Sequence, residues 1–368
     1  MHELCIGLMS GTSIDAVDAA LCRVDDGRID RIEATHRAEY PLALRQRLVD
    51  LQLSPDTPIS LREFAGLDHA VAKAFADAAL GAMHAGGRRA AEIACIGSHG
   101  QTVFHDPVRT SNSIQLGDPS LIAARTGVAV VADFRRADIA HGGQGAPLVP
   151  AFHLASFGAH APCAVLNLGG IANLTLLPEP GIAYGFDTGP GNGLLDAWIA
   201  HHQGARYDRD GQWAASGMID QSLLDACLDD PYFAQPPPKS TGRDRFNLEW
   251  LRLRFPQWAS LPPADVQRTL CEVTTQSIAM QLRRTAPTLP RVLVCGGGVH
   301  NQRLMASLRE ALPGTHVEST VATGIDPDIV EAAAFAWLAW RRIRKLPGNL
   351  PSVTGASAPV LLGGIYEP

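Results

Sequence analysis

The first hundred residues carry two different hydrophobic periods. Short apolar or alternating runs bounded by turn residues predict three strands joined as a β-meander, at residues 4–8, 16–24 and 30–36. Apolar residues at helical spacing then predict helices at 41–53 and 60–84, the second with Ser60 as its N-cap, and a strand follows at 93–97. This part of the chain is therefore expected to be a mixed sheet with helices packed on it.

A similar order of elements begins again near residue 164. Apolar strands are predicted within 164–175 and at 182–186. The pattern further along predicts helices at 193–201, 265–286 and 328–343, a buried strand at 292–295, and a proline-rich surface excursion or lid at 231–245. Because both halves begin with a strand, a glycine-containing turn and a second strand, we expect a structural duplication.

The length of the chain predicts two lobes. A chain of 368 residues is long for one core. We therefore expect an N-terminal lobe at 1–160 and a C-terminal lobe at 161–368 with a cleft between them. The last helix is an exception, since it could pack back on the N-terminal lobe.

Composition and charge exclude several classes of protein. A formal net charge of −6 without clustered Lys and Arg argues against a nucleic-acid partner. No run is apolar enough to span a membrane, and no signal peptide is recognisable. The seven cysteines are scattered without metal-ligand spacing, which indicates small core residues in a reducing compartment and no structural zinc. The expected location is the cytoplasm.

Small and hydroxylated residues follow the first predicted strand. Gly7 and Gly11 let the turn bring backbone N–H groups close to an anion, and Thr12 and Ser13 add donors. Residues 6–18 therefore suit a phosphate-binding turn. The same glycines occur in ordinary hairpins, so the pattern alone leaves both interpretations open.

Asp187 is the leading catalytic candidate. It follows a predicted strand, and the carboxyl ends of strands are where open α/β sheets expose reactive groups. Gly189 and Gly191 free the next backbone for close approach to an anion, and Asn192 is expected to cap the helix at 193–201. The alternative is a turn acid whose carboxylate is satisfied by loop amides.

Another glycine turn offers a flat surface. Gly296, Gly297 and Gly298 follow a predicted strand and leave bare backbone, which suits a planar ligand such as a purine. Glycine turns between a strand and a helix are also common. Neither a Walker motif nor a dinucleotide fingerprint is present in the sequence.

Two polar, glycine-spaced loops at 97–105 and 132–148 carry amide, imidazole and guanidinium groups. Such groups hydrogen-bond sugars and hold carboxylates. The candidates are His99, Gln101, Arg135, Arg136, Asp138 and Gln144. Ordinary ion pairs, Asp133 with Arg136 or Asp138 with Arg135, are the alternative. Glu331 opens an apolar helix and would either face a cleft or favour the helix dipole.

Six segments in order resemble the anhydro-N-acetylmuramic acid kinase family of bacterial cell-wall recycling. They read MSGTSID, GSHGQT, GGQGAPL, NLGGIAN, FDTGPGN and CGGGVHN, and together they span nearly the whole chain. Each motif is modest, but six in order are specific. The family belongs to the sugar kinase, Hsp70 and actin class of ATPases. The resemblance therefore implies an α/β, two-lobed, duplicated actin-like ATPase fold of ribonuclease H-like type, with a central interlobe cleft that closes over ATP.

The same resemblance implies functions for single residues. Asp187 would be the catalytic base and Glu331 a second acid near the sugar, while Asp15 would position Mg²⁺ through water. The first phosphate loop would comprise Gly11, Thr12, Ser13, Ile14, Asp15, Ala16, Val17 and Asp18. The remaining nucleotide contacts would come from Gly169, Asn173, Gly189, Gly191, Asn192, Gly296, Gly297 and Gly298. Ala16 departs from the family pattern, in which many members carry Gly, and makes the turn less permissive.

The implied ligands are ATP, Mg²⁺ and a sugar, bound by a homodimer with no nucleic-acid or membrane partner. The sugar has its 6-oxygen tied to the anomeric carbon in a 1,6-anhydro bridge. Asp187 would take a proton from a water that attacks the anomeric carbon, and the departing 6-oxygen would attack the γ-phosphate, giving N-acetylmuramic acid 6-phosphate and ADP. The alternatives are an actin- or Hsp70-like ATPase that moves a partner, a kinase for an ordinary sugar hydroxyl, and a phosphatase of phosphoanhydrides.

Overall fold

The computed structural model describes residues 2–11, 14–54, 56–237 and 239–368. The strands are β1 (Glu3–Met9), β2 (Ala16–Asp25), β3 (Arg28–Glu39), β4 (Ile93–Ser98), β5 (Gln101–Asp106), β6 (Asn112–Leu116), β7 (Val130–Ala132), β8 (Cys163–Leu168), β9 (Ile171–Leu177), β10 (Tyr184–Pro190), β11 (Arg291–Cys295), β12 (His316–Ser319) and β13 (Gly364–Tyr366). The helices are α1 (Leu42–Leu53), α2 (Leu61–Ala85), α3 (Pro119–Thr126), α4 (Arg136–Ala140), α5 (Val149–Phe157), α6 (Asn192–Gln203), α7 (Gln212–Ser216), α8 (Gln221–Leu228), α9 (Pro231–Ala234), α10 (Leu248–Arg254), α11 (Pro263–Thr285), α12 (Gln302–Ala311), α13 (Val330–Ile343) and α14 (Pro351–Thr354).

The chain divides into two compact units. The first unit comprises Met1–Ser156 and Ile329–Pro368, and the second comprises Phe157–Asp328. The C-terminal segment that begins with α13 thus belongs to the same unit as the N-terminal half. None of the helices within the described ranges is long and apolar enough to cross a membrane. All seven cysteines are buried and none is in a disulfide, as the sequence predicts for core residues.

A mixed sheet forms the first unit, in the order β13-β7-β4-β1-β2-β3. The predicted meander is confirmed, because β1 pairs antiparallel with β2 and β2 pairs antiparallel with β3. Strand β4 lies parallel to β1. Helix α2 begins as predicted, since the Ser60 side chain accepts a hydrogen bond from the Glu63 N–H at 3.1 Å.

Helix α13 packs on this sheet with its backbone directly against two strands. A Cβ atom added at Gly7 would overlap the Ala332 carbonyl, and one added at Gly97 would overlap the Phe335 carbonyl. Only glycine therefore permits this approach. The contact fixes the first turn of α13, and with it Glu331, relative to the sheet.

The second unit repeats the strand directions of the first. Its sheet has the order β10-β9-β8-β11-β12, with β8, β9 and β10 antiparallel and β8, β11 and β12 parallel. In the first unit, β3-β2-β1-β4-β7 follows the same scheme. The expected duplication is confirmed at the level of topology. In each unit, a turn between the first two strands of the meander carries glycine.

Candidate active site

The turn after β1 is closed by its own backbone and by an arginine. Ile14 is buried with φ at 51°, and its N–H donates to the Gly11 carbonyl at 3.2 Å. Arg45 donates to the Ile14 carbonyl at 3.0 Å and to Asp15 Oδ1 at 2.9 Å. The proposed donors Thr12 and Ser13 lie outside the described residues. The described part of the turn is therefore anchored, with the Asp15 carboxylate at its end.

The last three residues assigned to this loop belong to β2. Ala16 and Val17 are buried, and Asp18 lies 3.8 Å from the Arg37 guanidinium. Because the side chains of Ala16 and Val17 are buried, any contact that these two residues make with a nucleotide would come from their backbone.

The side chain of Gln101 forms hydrogen bonds with the opening turn. Its buried side chain accepts a hydrogen bond from Ser10 Oγ at 2.7 Å and donates to the Gly11 carbonyl at 3.4 Å. Tyr40 Oη also donates to the same amide oxygen, at 3.4 Å. The sequence assigned Gln101 to the sugar, whereas the structure shows its amide bound to the turn.

His99, Arg135 and Glu331 come together in the first unit. Arg135 Nη2 lies 2.8 Å from His99 Nε2, and because a guanidinium can only donate, the imidazole accepts through Nε2. Burial and the Arg135 charge lower the pKa of His99 well below its usual range. Burial also lowers the pKa of Arg135 to about 10, although the charges of Glu331 and Asp138 oppose that shift. At neutral pH the pair is a neutral imidazole beside a charged guanidinium.

Asp138 joins two loops through its buried carboxylate. Its side chain accepts hydrogen bonds from Gly145 N, Asn349 Nδ2 and Thr354 Oγ1, each at 2.7 Å. Arg135 donates to the carbonyl of the same Gly145 at 2.8 Å. Asp138, predicted as a sugar contact, is therefore seen to hold the loop on which Arg135 rests.

Arg136 and Gln144 lie nearer the solvent. Arg136 forms the ion pair with Asp133 that the sequence offered as an alternative, at 3.5 Å, and donates to the Ser113 carbonyl at 3.3 Å. Gln144 is exposed, and its backbone N–H donates to the Thr354 carbonyl at 2.9 Å.

Asp187 lies in the second unit on β10, directly before a β-bulge. It pairs with Asn173 of β9, and the register shifts between Asp187 and Gly189. Bulges of this kind turn a side chain out of the regular alternation of a strand. Thr241 N–H donates to Asp187 Oδ2 at 2.9 Å, and within the described part of the chain Oδ1 has no donor. One oxygen of the carboxylate is thus fixed by a hydrogen bond, and the other oxygen is available.

Burial raises the pKa of Asp187 to about 6, although the Thr241 N–H and the Lys239 charge lower it. A carboxyl group with this pKa is mostly ionised at neutral pH and is a stronger base than an exposed aspartate. It therefore has the proton affinity that general-base catalysis requires.

Glycine turns converge around the start of α6. A Cβ at Gly191 would overlap the Gly169 carbonyl, and one at Gly298 would lie 3.0 Å from Asn192 Nδ2. The expected cap is wrong. Gly191 is the N-cap, and the Asn192 side chain donates to the Leu168 carbonyl at 2.8 Å. Asn192 therefore ties the helix to the end of β8.

The turn after β11 contacts the same region. Gly296 has φ at 80°, and a Cβ there would overlap the Asn167 side chain. At Gly297 a Cβ would meet no atom within 4 Å, so the backbone there is open. The structure thus gathers most of the nucleotide candidates of the second unit on one group of turns.

The sequence missed three residues that surround Asp187. Tyr232, Lys239 and Thr241 lie in the stretch expected to be a surface excursion or lid. Instead, Tyr232 is 2% exposed in the short helix α9, and Thr241 hydrogen-bonds the catalytic candidate. The feature of the sequence that could have indicated these residues is the lysine, the two hydroxylated residues and the glycine at 239–242.

Comparison with known proteins adds to this geometry. A family model described as anhydro-N-acetylmuramic acid kinase matches residues 3–368. The protein "Anhydro-N-acetylmuramic acid kinase" of Xanthomonas campestris pv. campestris (strain 8004) is 52% identical over 367 residues, which cover 99% of this chain and 97% of that protein. The protein of the same name from Vibrio cholerae serotype O1 is 49% identical over 371 residues, covering 100% and 99%.

A solved structure is similar in fold. Component A of the (R)-2-hydroxyglutaryl-CoA dehydratase of Acidaminococcus fermentans aligns with a TM-score of 0.50 and 11% identity, covering 93% of this chain and 99% of that chain. This likeness concerns the fold alone, and it agrees with the α/β, duplicated actin-like fold expected from the sequence.

Proposed function

The chain belongs to the anhydro-N-acetylmuramic acid kinase family, and from this premise we propose how its residues act. The reaction is the ATP-dependent opening of the 1,6-anhydro ring of 1,6-anhydro-N-acetylmuramic acid with phosphorylation of the 6-oxygen. The products are N-acetylmuramic acid 6-phosphate and ADP, in cell-wall recycling. The family assignment favours this reaction over a partner-moving ATPase or a kinase for an ordinary sugar hydroxyl.

The partly buried carboxyl of Asp187 carries the proposed mechanism. Its raised pKa of about 6 and the fixed Oδ2 leave Oδ1 as a base at neutral pH. Oδ1 accepts a proton from water while the water oxygen bonds to the anomeric carbon. The bond from that carbon to the 6-oxygen breaks, and the 6-oxygen bonds to the γ-phosphorus as ADP leaves. The γ-phosphate thus takes the place of a general acid.

His99, Arg135 and Glu331 form the proposed sugar side of the first unit. Arg135 is our choice for the contact with the substrate's carboxylate, because the Gly145 carbonyl and His99 hold its guanidinium close to the Glu331 charge, whereas Arg136 is paired with the acid Asp133. The neutral imidazole of His99 fixes the guanidinium through Nε2. Glu331 serves as the second acid near the sugar.

The glycine turns are the proposed phosphate and adenosine contacts. Gly191 and Asn192 begin α6, and because their N–H groups already donate to the carbonyls of Gly170 and Gly169, what this turn offers a phosphate is a close approach to backbone without a side chain at Gly191. The backbone after β1 does the same in the first unit. Magnesium supplies charge neutralisation on the phosphates when bound. Asp15 would hold the magnesium ion through a water molecule. Arg45 hydrogen-bonds one oxygen of the Asp15 carboxylate, which leaves the other oxygen for that water.

Substitution of the base tests this proposal. We expect Asp187→Asn to leave ATP and sugar binding largely intact and to lower turnover roughly 10²–10⁴-fold, or about 3–5 kcal/mol of barrier. ADP release should be measured with 1,6-anhydro-N-acetylmuramic acid, N-acetylmuramic acid, glucose and no sugar. Asp225→Asn, at an exposed position of α8, is the matched control and should retain activity.

Labelled water separates ring opening from ATP hydrolysis. In ¹⁸O-water, the label should enter the anomeric hydroxyl of the product and be absent from its phosphate. Near wild-type turnover in a folded Asp187→Asn protein, or label in the phosphate, would contradict the proposed mechanism. We also propose that the protein acts in the cytoplasm as a homodimer, which sedimentation velocity can examine.

A further inference from the structure

Asp187 is held as much by a distant segment of the second unit as by its own sheet. We propose that residues 239–241 are a positioning element for the reaction, in which the ammonium group of Lys239 and the backbone of Thr241 keep the Asp187 carboxyl oriented and ionised. This inference rests on the proposed function of Asp187. It assigns a function to a stretch that the sequence pattern describes only as a surface excursion or lid.

Two backbone hydrogen bonds attach the segment to the base. Asp187 N–H donates to the Lys239 carbonyl at 3.1 Å, and Thr241 N–H donates to Asp187 Oδ2 at 2.9 Å. The segment thus binds both the main chain and the side chain of Asp187. Since β10 is the edge strand of its sheet, the bond from Asp187 N–H to Lys239 gives a partner to a backbone donor at the sheet edge.

Tyr232 contacts both Asp187 and Lys239. Its hydroxyl donates to the Asp187 carbonyl at 2.8 Å. Lys239 Nζ donates to the Tyr232 carbonyl at 3.1 Å and lies 4.5 Å from the centroid of its ring. The ring therefore holds the ammonium group by a cation–π contact while its hydroxyl holds the strand. The carbonyl, ring and hydroxyl of one residue connect the lysine to the base.

The charges around this group determine its effect. The Lys239 charge lowers the pKa of Asp187, the Asp187 charge raises the pKa of Tyr232, and Lys239 also faces Arg284 of α11. The guanidinium carbon of Arg245 lies 5.1 Å from the centroid of the Tyr232 ring. Burial and Arg284 lower the pKa of Lys239 to about 8, so the lysine is mostly charged at neutral pH.

The sign of the effect follows from these charges. A nearby ammonium favours the carboxylate over the carboxylic acid, so it lowers the pKa of Asp187 against the effect of burial. Without the charge, Asp187 would stay protonated to higher pH. Protonated Asp187 cannot accept a proton from water, so turnover would fall over the range between the old and new pKa values.

Removal of the charge with retention of a donor tests the inference. Lys239→Gln should shift the acid limb of the kcat–pH profile upward by about 0.5–1 pH unit, with KM for ATP changed less than about twofold. Lys239→Arg should restore the wild-type limb. Arg252→Met removes an exposed cation of α10 and should leave the profile unchanged.

A limb that stays in place in folded Lys239→Gln, or that moves equally in Lys239→Arg, would overturn the inference. If Lys239→Gln does not fold, Tyr232→Phe removes only the hydroxyl that holds the strand and should lower kcat by about threefold or more. Unchanged kcat in that variant would also overturn it. Activity retained by Asp187→Asn would instead refute the proposed function itself, so the two failures are distinguishable.

Discussion

At the scale of single residues, several side chains predicted to touch the substrate instead hold the residues that could touch it. Gln101 binds Ser10 and Gly11 of the opening turn, and Asp138 binds the Gly145 backbone beneath Arg135. Polar residues of this kind have the composition of a binding loop, but their hydrogen bonds are made with donors and acceptors of the protein itself. Sequence indicates the composition, whereas the partners come from residues far away along the chain.

Asp138 gives a prediction at this scale. Asp138→Ala removes the acceptor of three buried donors, so we expect the free energy of unfolding to fall by about 3 kcal/mol or more. KM for the sugar should also rise, because the Gly145 loop that supports Arg135 loses its anchor. Chemical denaturation and steady-state kinetics measure the two effects.

Asp77→Ala is the matched control for this measurement. Asp77 is an exposed aspartate of α2 in the same unit, paired with Arg125 at 2.8 Å. Surface pairs contribute little, so its loss should cost less than about 1 kcal/mol. Equal losses in both variants would mean that burial of Asp138 has no energetic consequence.

At the scale of elements, the contact between α13 and the strands β1 and β4 links the sheet to the site. Gly7 and Gly97 allow the helix backbone to touch the sheet, and Glu331 lies in the first turn of that helix. A side chain at either glycine would push α13 away from the sheet. Glu331 would then move relative to Arg135, which is positioned by other loops.

Gly7→Ala is therefore expected to be strongly destabilising. The added methyl overlaps the Ala332 carbonyl, and overpacking of this kind costs about 1–3 kcal/mol or more. In contrast, a Cβ at Gly66 of α2 meets no atom within 4 Å, so Gly66→Ala should raise stability by about 0.5–1 kcal/mol. Thermal unfolding of the two variants should shift in opposite directions, and a shift in the same direction would contradict this packing.

Elements with a long, regular period were predicted well from the sequence. The meander of β1, β2 and β3 and the helices α2 and α11 lie close to their expected bounds. Short strands such as β7 carry too few residues to show a period. The membership of α13 in the first unit depends on Gly7 and Gly97, which are distant from it in sequence.

Prediction of the site from the sequence failed where a side chain could bind more than one partner. Asn192 has the side chain of an N-cap, but Gly191 takes that position and Asn192 reaches the Leu168 carbonyl instead. The stretch at 231–245 looked like a solvent-exposed loop because it is rich in proline and basic residues. Its contacts with Asp187 depend on the fold of the second unit and leave no local period.

At the scale of the whole molecule, duplication gives each unit a similar sheet but different chemistry. Both sheets follow one scheme of strand directions, and each has a glycine-containing turn between the first two strands of its meander. The first unit buries His99 and His153, whereas the second carries Asp187, whose pKa is raised. The buried histidines and Asp187 should therefore contribute to the acid response of stability with opposite signs.

The first unit is expected to lose stability as pH falls below about 6.5. Burial lowers the pKa of His153 to about 3 and that of His99 well below its usual range, so the unfolded chain binds protons more readily than the folded one. Stability from these groups is present above the unfolded pKa and is lost as pH falls towards the folded value. Near pH 5, the lowered pKa of a fully buried histidine such as His153 decreases the free energy of unfolding by about 2 kcal/mol.

The opposite sign applies to Asp187 in the second unit. Its folded pKa of about 6 exceeds the unfolded value, so this group adds stability as pH falls from about 6 to about 4. Calorimetry between about pH 7.5 and pH 5 should show the unfolding of the first unit moving to lower temperature, with hydrogen exchange assigning it to residues 2–156 and 329–368. His153→Leu should flatten this dependence whatever its effect on the midpoint, since it removes the titrating group. Earlier unfolding of residues 157–328 on acidification would show that the buried histidines do not control the acid response.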